Sequence, residues 1–267
     1  MTHRAADTLK RLYTASPVFR LLNPRKAHLY CVGTAKSGTH SIAAIFGNQL
    51  RVAHEAESSE VIDIILDLAA GRIGDDSLRR YIIRRDRRLW LDIDSSQLNF
   101  YMLEKLVELF PDAKFILTIR YPIAWLDSFI NHQLSRRGRD HWRRLRDLRY
   151  RPDIYSHPDE ERVLQEKGLY TLDGYLSYWA HHNSTVIDTV PPDRLLIVRT
   201  DRISETTDEI VSFSGIPADS FKRGASHIPS AKKKLHVLDE LDRSYLAQKV
   251  NEHCGDLVAR FFPETVT

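Results

Sequence analysis

Only two cysteines, Cys31 and Cys254, occur in 267 residues. That number excludes a disulfide framework and favours a reducing compartment, so the expected location is cytoplasmic. No apolar run reaches the ~18 residues of a membrane-spanning helix, so no span is expected. Residues 1–26 are basic but lack a long apolar core and a cleavage site, so they do not read as a signal peptide. They are expected to pack as a helical lead-in that Asn23-Pro24 ends. Charge of one sign is scarce too: the net charge is only +3, although arginines cluster locally. Internal repeats and linkers are missing. The reading is therefore one domain over residues 1–267, long enough for a sizeable α/β core.

What is present begins with Leu29 to Phe46, LYCVGTAKSGTHSIAAIF. Leu29, Tyr30, Cys31 and Val32 form a short apolar run bounded by Gly33, as in a buried parallel strand. The loop Gly33-Thr34-Ala35-Lys36-Ser37-Gly38 follows. Thr39 to Phe46 then reads as a helix, with Ile42, Ala43, Ile45 and Phe46 for the sheet. A glycine-bearing loop that opens a helix makes a nest of backbone N–H groups, and the helix adds about half a positive charge there. Phosphate or sulfate is its natural guest, with Lys36 as a mobile charge and Ser37, Thr39, His40 and Ser41 as side-chain donors.

Spacing separates two chemistries. A nucleoside-triphosphate loop reads G-x-x-x-x-G-K-[ST]. Gly33 and Gly38 have that separation, but Thr39 stands at the lysine position and His40 at the magnesium-binding hydroxyl. The lysine lies inside the loop, at Lys36. Such a loop suits a phosphate-like group without the usual magnesium clamp.

A second informative stretch is Ala113 to Gln133, AKFILTIRYPIAWLDSFINHQ. Lys114 to Ile119 reads as a buried strand with Arg120 at its carboxyl end. Pro122 starts a helix where its missing N–H costs nothing. Arg120 and Ser128, eight residues apart, can close on one anion.

These two stretches resemble the sulfotransferases that use 3′-phosphoadenosine 5′-phosphosulfate (PAPS). TAKSGTHS is similar to their 5′-phosphosulfate loop, and FPDAKFILTIRYPIAWLDS to their 3′-phosphate motif, of the form R-x-P-x-x-x-x-x-S. The resemblance implies a three-layer α/β/α fold around a central, mostly parallel sheet. It implies sulfuryl transfer from PAPS to a hydroxyl or amine, giving PAP, with no metal required. Ala35, Lys36, Ser37, Gly38, Thr39, His40 and Ser41 would hold the 5′ end, and Arg120 and Ser128 the 3′-phosphate. The loop SHIPSAKKKLH, with Lys232 and Lys233, is loosely similar to the family's late basic loop. After the strand RLLIVR many members have Tyr-Glu-Asp; here Arg199-Thr200-Asp201 stands instead, which puts a tyrosine contact to the nucleotide in doubt. Ser41 replaces the aromatic that stacks on adenine in cytosolic members.

Arg51 to Glu55 reads as a short second strand, which brings Glu55 near the loop if the two strands are neighbours. Several carbohydrate and protein-tyrosine members use a glutamate after this strand, so Glu55 is the candidate general base. His132, His54 and Asp94 are its alternatives. Leu89 to Asp94 is another apolar strand ending in acid and supports an ATP-dependent kinase or NTPase as the runner-up. Asp75 to Arg88 is a helix whose basic run RRYIIRRDRR reads as a solvated face. Residues 136–158 form an arginine-rich insertion, read as a solvated segment or as a lid over an anionic acceptor. A non-catalytic nucleic-acid binder is the remaining alternative, although no nucleic-acid partner is expected. The expected acceptor is a small molecule, carbohydrate or lipid. His181 and His182 read as core residues of a long helix over Leu169 to Val190 rather than metal ligands.

Overall fold

A computed structural model describes residues 16–47, 50–135, 139–217 and 235–265. The described chain is three-layered, with helices on both faces of a five-stranded, all-parallel sheet in the order β2-β3-β1-β4-β5. The strands are β1 (Leu29–Cys31), β2 (Val52–His54), β3 (Ile93–Ser95), β4 (Lys114–Ile119) and β5 (Leu195–Arg199). The helices are α1 (Pro17–Leu22), α2 (Thr39–Phe46), α3 (Ser58–Ala69), α4 (Asp75–Leu89), α5 (Leu103–Leu109) and α6 (Pro122–Ser135). They continue with α7 (Asp140–Tyr150), α8 (Arg162–Glu166), α9 (Leu172–Thr189), α10 (Thr207–Ser214) and α11 (Arg243–Phe261).

The central strands carry apolar side chains on both faces because helices cover both. Tyr30, Val32, Phe115 and Leu117 pack under α3, α4 and α5, while Leu29, Cys31, Ile116 and Val198 pack under α2 and α10. A third core joins α6, α7, α9 and α11 around Trp125, Tyr150, Tyr175 and Trp179. No described helix is long and apolar enough to cross a membrane.

One condition is unmet and one expectation needs correction. β1 and β2 are not neighbours, because β3 lies between them. And the strand expected over Leu89 to Asp94 starts four residues later. Helix α4 runs on through Leu89, Trp90 turns the chain at φ 47°, and the strand is Ile93–Ser95. Apolar residues alone do not distinguish a helix's last turn from a buried strand.

The arginine-rich insertion has a buried side. Within α7, Leu145 and Tyr150 are fully buried and Arg149 is 7% exposed. Residues 136–138 of that insertion, residues 1–15 of the lead-in, and Lys232 and Lys233 lie outside the described residues.

Candidate active site

The loop between β1 and α2 sits at the carboxyl end of the sheet, where parallel α/β folds bind ligands. Two glycines make it possible. A Cβ on Gly33 would lie 2.0 Å from Thr118 Oγ1 and 2.7 Å from the Thr118 carbonyl oxygen, so β4 tolerates only glycine there. Gly38 turns the chain at φ 110° and caps α2. The first intrahelical bond runs from the Ile42 N–H to the Gly38 carbonyl, 3.1 Å. Thr39, His40 and Ser41 therefore belong to the first turn, whose N–H groups have no partner inside the helix.

Three successive loop carbonyls are held from behind. Trp125 Nε1 donates to the Ala35 oxygen at 2.8 Å, and Arg120 Nη1 to the Lys36 oxygen at 3.1 Å. The Thr200 hydroxyl donates to the Ser37 oxygen. Lys36 takes a left-handed φ of 67°. The Ser37 hydroxyl points inward, donating to the Thr34 carbonyl at 2.7 Å and lying 2.8 Å from Thr118 Oγ1. Ser37 is thus a brace for the loop, and its own N–H bonds the Thr34 carbonyl at 3.2 Å.

Arg120 lies beside the loop at the end of β4, and the Trp179 indole N–H fixes its carbonyl at 3.1 Å. No described carboxylate forms an ion pair with it. Burial lowers the pKa of its guanidinium, against Asp127 and Asp201, which raise it. Ser128 stands three residues beyond Trp125 on α6, and residues at that spacing share a helix face. The Trp125 bond to the loop anchors this part of α6 beside β1 and β4. His132 is a further turn along α6, ~10 Å along the axis from Trp125.

Glu55 reaches the same end of the sheet although β3 intervenes. Its N–H bonds the Ser95 carbonyl at 3.0 Å, and the Ser95 hydroxyl donates to the Thr39 carbonyl at 2.7 Å. His54 Nε2 lies 3.2 Å from Thr39 Oγ1, and its ring is 4.9 Å from that of His40. Burial lowers the His54 pKa; Glu55 and Asp94 raise it and His40 lowers it further. Thus β2 is tied to the start of α2 through side chains rather than through strand pairing.

The Glu55 turn is strained and clamped. Glu55 and Glu57 both have left-handed backbones, at φ 53° and 56°. Helix α4 supplies the clamp: Arg85 Nη2 donates to the Ala56 carbonyl at 3.1 Å, and Arg88 grips both Glu57 oxygens at 3.1 and 2.7 Å. The basic run on α4 is therefore not a uniformly solvated face, because Arg85 is 6% exposed. Arg85 also pairs with Asp94, which holds that carboxylate in a buried ion pair.

Gln97 completes the arrangement. Its Oε1 accepts from Arg149 Nη1 at 2.7 Å, and its Nε2 donates to Glu55 Oε1 at 2.6 Å. An arginine can only donate, so the amide has one workable orientation and must present N–H to Glu55. Arg149 is held in turn by the Tyr101 hydroxyl, 2.8 Å from its Nε. One carboxylate oxygen of Glu55 is thereby fixed.

Four contributors carry weak signals in the sequence. Trp125 is at helical spacing from Ser128 inside the second motif, and that spacing is the best of them. Thr200 follows the fifth strand, while Gln97 and Arg149 meet only through the fold.

The family model described as "Sulfotransferase domain" matches residues 29–205 of the chain. Among solved structures, a sulfotransferase from Alicyclobacillus acidocaldarius is similar at 14% identity, over 84% of this chain and 92% of that one, with a TM-score of 0.46. No curated protein matches.

Proposed function

The chain belongs to the sulfotransferase domain family, and we propose that it moves a sulfuryl group from PAPS to a hydroxyl or amine acceptor, releasing PAP. The observation that supports the reading is the loop with three carbonyls drawn back, beside Arg120 at the end of β4, with Ser128 following on α6. Together they offer donors for two anionic groups, and PAPS has one at each end of its nucleotide.

In this reading the Lys36 side chain sets a positive charge beside the bridging oxygen, where charge builds as the sulfuryl group leaves. The loop amides bind the non-bridging oxygens. Arg120 and Ser128 hold the 3′-phosphate by charge-assisted hydrogen bonds. The acceptor must lose a proton, and Glu55 takes it. Gln97 fixes one oxygen of that carboxylate and leaves the other for the proton. Among the alternatives, Asp94 is engaged by Arg85, and His54 is paired with Thr39. His132 stays as a second candidate from α6. The acceptor is a small molecule, carbohydrate or lipid, and the transfer requires no metal.

The test is transfer from radiolabelled PAPS to a panel of phenols, sugars and hydroxylated lipids in the presence of EDTA. Sulfated product is expected from the wild type, with turnover lowered about 10²–10⁴-fold in Glu55→Gln. PAP affinity should be unchanged in that variant. Full turnover in Glu55→Gln would move the base to His132.

A further inference from the structure

Trp125 is fully buried and faces the loop rather than the cleft. Its ring is offset-stacked on Phe129, with centroids 5.6 Å apart, and edge-on to Tyr175 at 6.5 Å. A phenylalanine would satisfy that packing. What the indole adds is one N–H, and a buried N–H needs a partner. Its partner is the Ala35 carbonyl, 2.8 Å away.

That bond has a directional consequence. In a trans peptide the C=O and the next residue's N–H point opposite ways, and the described backbone has no cis peptide. Drawing the Ala35 carbonyl toward α6 turns the Lys36 amide the other way. The Thr200 hydroxyl, acting on the Ser37 carbonyl, does the same for the Gly38 amide. The Ser37 amide between them bonds the Thr34 carbonyl at 3.2 Å and closes the turn. Both turned amides lie just ahead of the first turn of α2.

We propose that Trp125, seconded by Thr200, is a positioning residue for the 5′ end of the nucleotide. Its indole N–H orients the amides that receive the 5′-phosphosulfate, and Trp125 itself touches no ligand. The inference rests on the PAPS reading above. It differs from that reading in assigning binding strength to a buried donor behind the loop. A role in folding alone would weaken every ligand alike or none.

The experiment titrates the full chain and two variants, Trp125→Phe and Thr200→Val, with PAP, 5′-AMP and 3′-AMP. Calorimetry serves for PAP, and NMR titration for the weaker mononucleotides. Each variant should bind PAP and 5′-AMP about tenfold more weakly, the loss of roughly one hydrogen bond to the loop. Binding of 3′-AMP, which lacks a 5′ group, should stay within about twofold. Should Trp125→Phe fail to fold, Thr200→Val keeps the side-chain shape and carries the test alone. PAP affinity within about twofold of wild type in the folded variants would overturn the proposal. So would an equal loss for 3′-AMP and 5′-AMP. Wild-type chain that binds no PAP would overturn the donor reading and this inference together.

Discussion

In the proposed function Arg120 would have two tasks at once, and the pairing changes what its removal should do. If the guanidinium met only a 3′-phosphate, Arg120→Ala would weaken PAP and leave 5′-AMP untouched. But Nη1 also holds the Lys36 carbonyl at 3.1 Å. The variant should therefore weaken PAP by about 100-fold, through a lost charge-assisted bond. It should also weaken 5′-AMP by about fivefold, through the loosened loop. Calorimetric titration of both nucleotides checks this, and unchanged 5′-AMP binding would remove the loop task. The same logic explains Ser37. Its position in the motif suggests a ligand donor, while its hydroxyl braces Thr34 and Thr118. A sequence reports which side chain is at hand, and only the fold reports which way it points. Lys36 and Glu55, two residues to which the sequence assigns chemistry, are among six described non-glycine residues at positive φ. Their backbones are held in sparsely populated conformations by the contacts around them.

At the scale of elements, α9 and β1 are joined through His182. The Val32 carbonyl can only accept, so His182 Nε2 carries the proton and donates at 2.7 Å. Its Nδ1 then accepts from the Tyr178 hydroxyl at 3.2 Å, and the ring stacks on Phe100 at 4.1 Å. Burial depresses the His182 pKa to about 3, against the Val32 bond, which raises it. The unfolded chain thus binds this proton more readily than the folded one. The stability is fully present above the unfolded value of about 6.5 and is lost as pH falls toward the folded value. Urea unfolding should show a slope of about 1.4 kcal/mol per pH unit below pH ~6 from this residue alone. That contribution should vanish in His182→Gln, whose amide can still donate to Val32. An unchanged slope would place the acid sensitivity elsewhere, for instance at Asp92, whose pKa is lowered by Arg51 despite burial, which raises it. Elements also show what was legible beforehand. Thr39–Phe46 and Lys114–Ile119 have the expected bounds because a glycine or a Pro-Asp break marks their starts and their apolar pattern is unambiguous. Arginine-rich α4 and α7 were not legible. A long guanidinium reads as solvated unless its buried partner is known, and Ala56, Asp94 and Gln97 come from distant stretches.

At the scale of the whole molecule, the strand order decides which parts of the chain meet. The order β2-β3-β1-β4-β5 sets the loop after β1 between the turn after β3 and the Arg120 end of β4. Glu55, after β2, is one strand removed and reaches the site through Ser95, Thr39 and Gln97. The loop and the Arg120–Ser128 spacing are legible in the sequence because both are local. The path from Glu55 to Arg149 joins residues that follow β2, β3 and β4 and has no local mark. The central claim is that this end of the sheet binds a nucleotide by two separate anionic groups. Calorimetric titration with PAP, beside 5′-AMP and ATP–Mg²⁺, tests it most directly. Tight PAP binding, with 5′-AMP weaker by about 100-fold or more, is the expected result, since only PAP engages both groups. PAP that bound no better than 5′-AMP, with ATP–Mg²⁺ binding well, would contradict it and favour a kinase-type site.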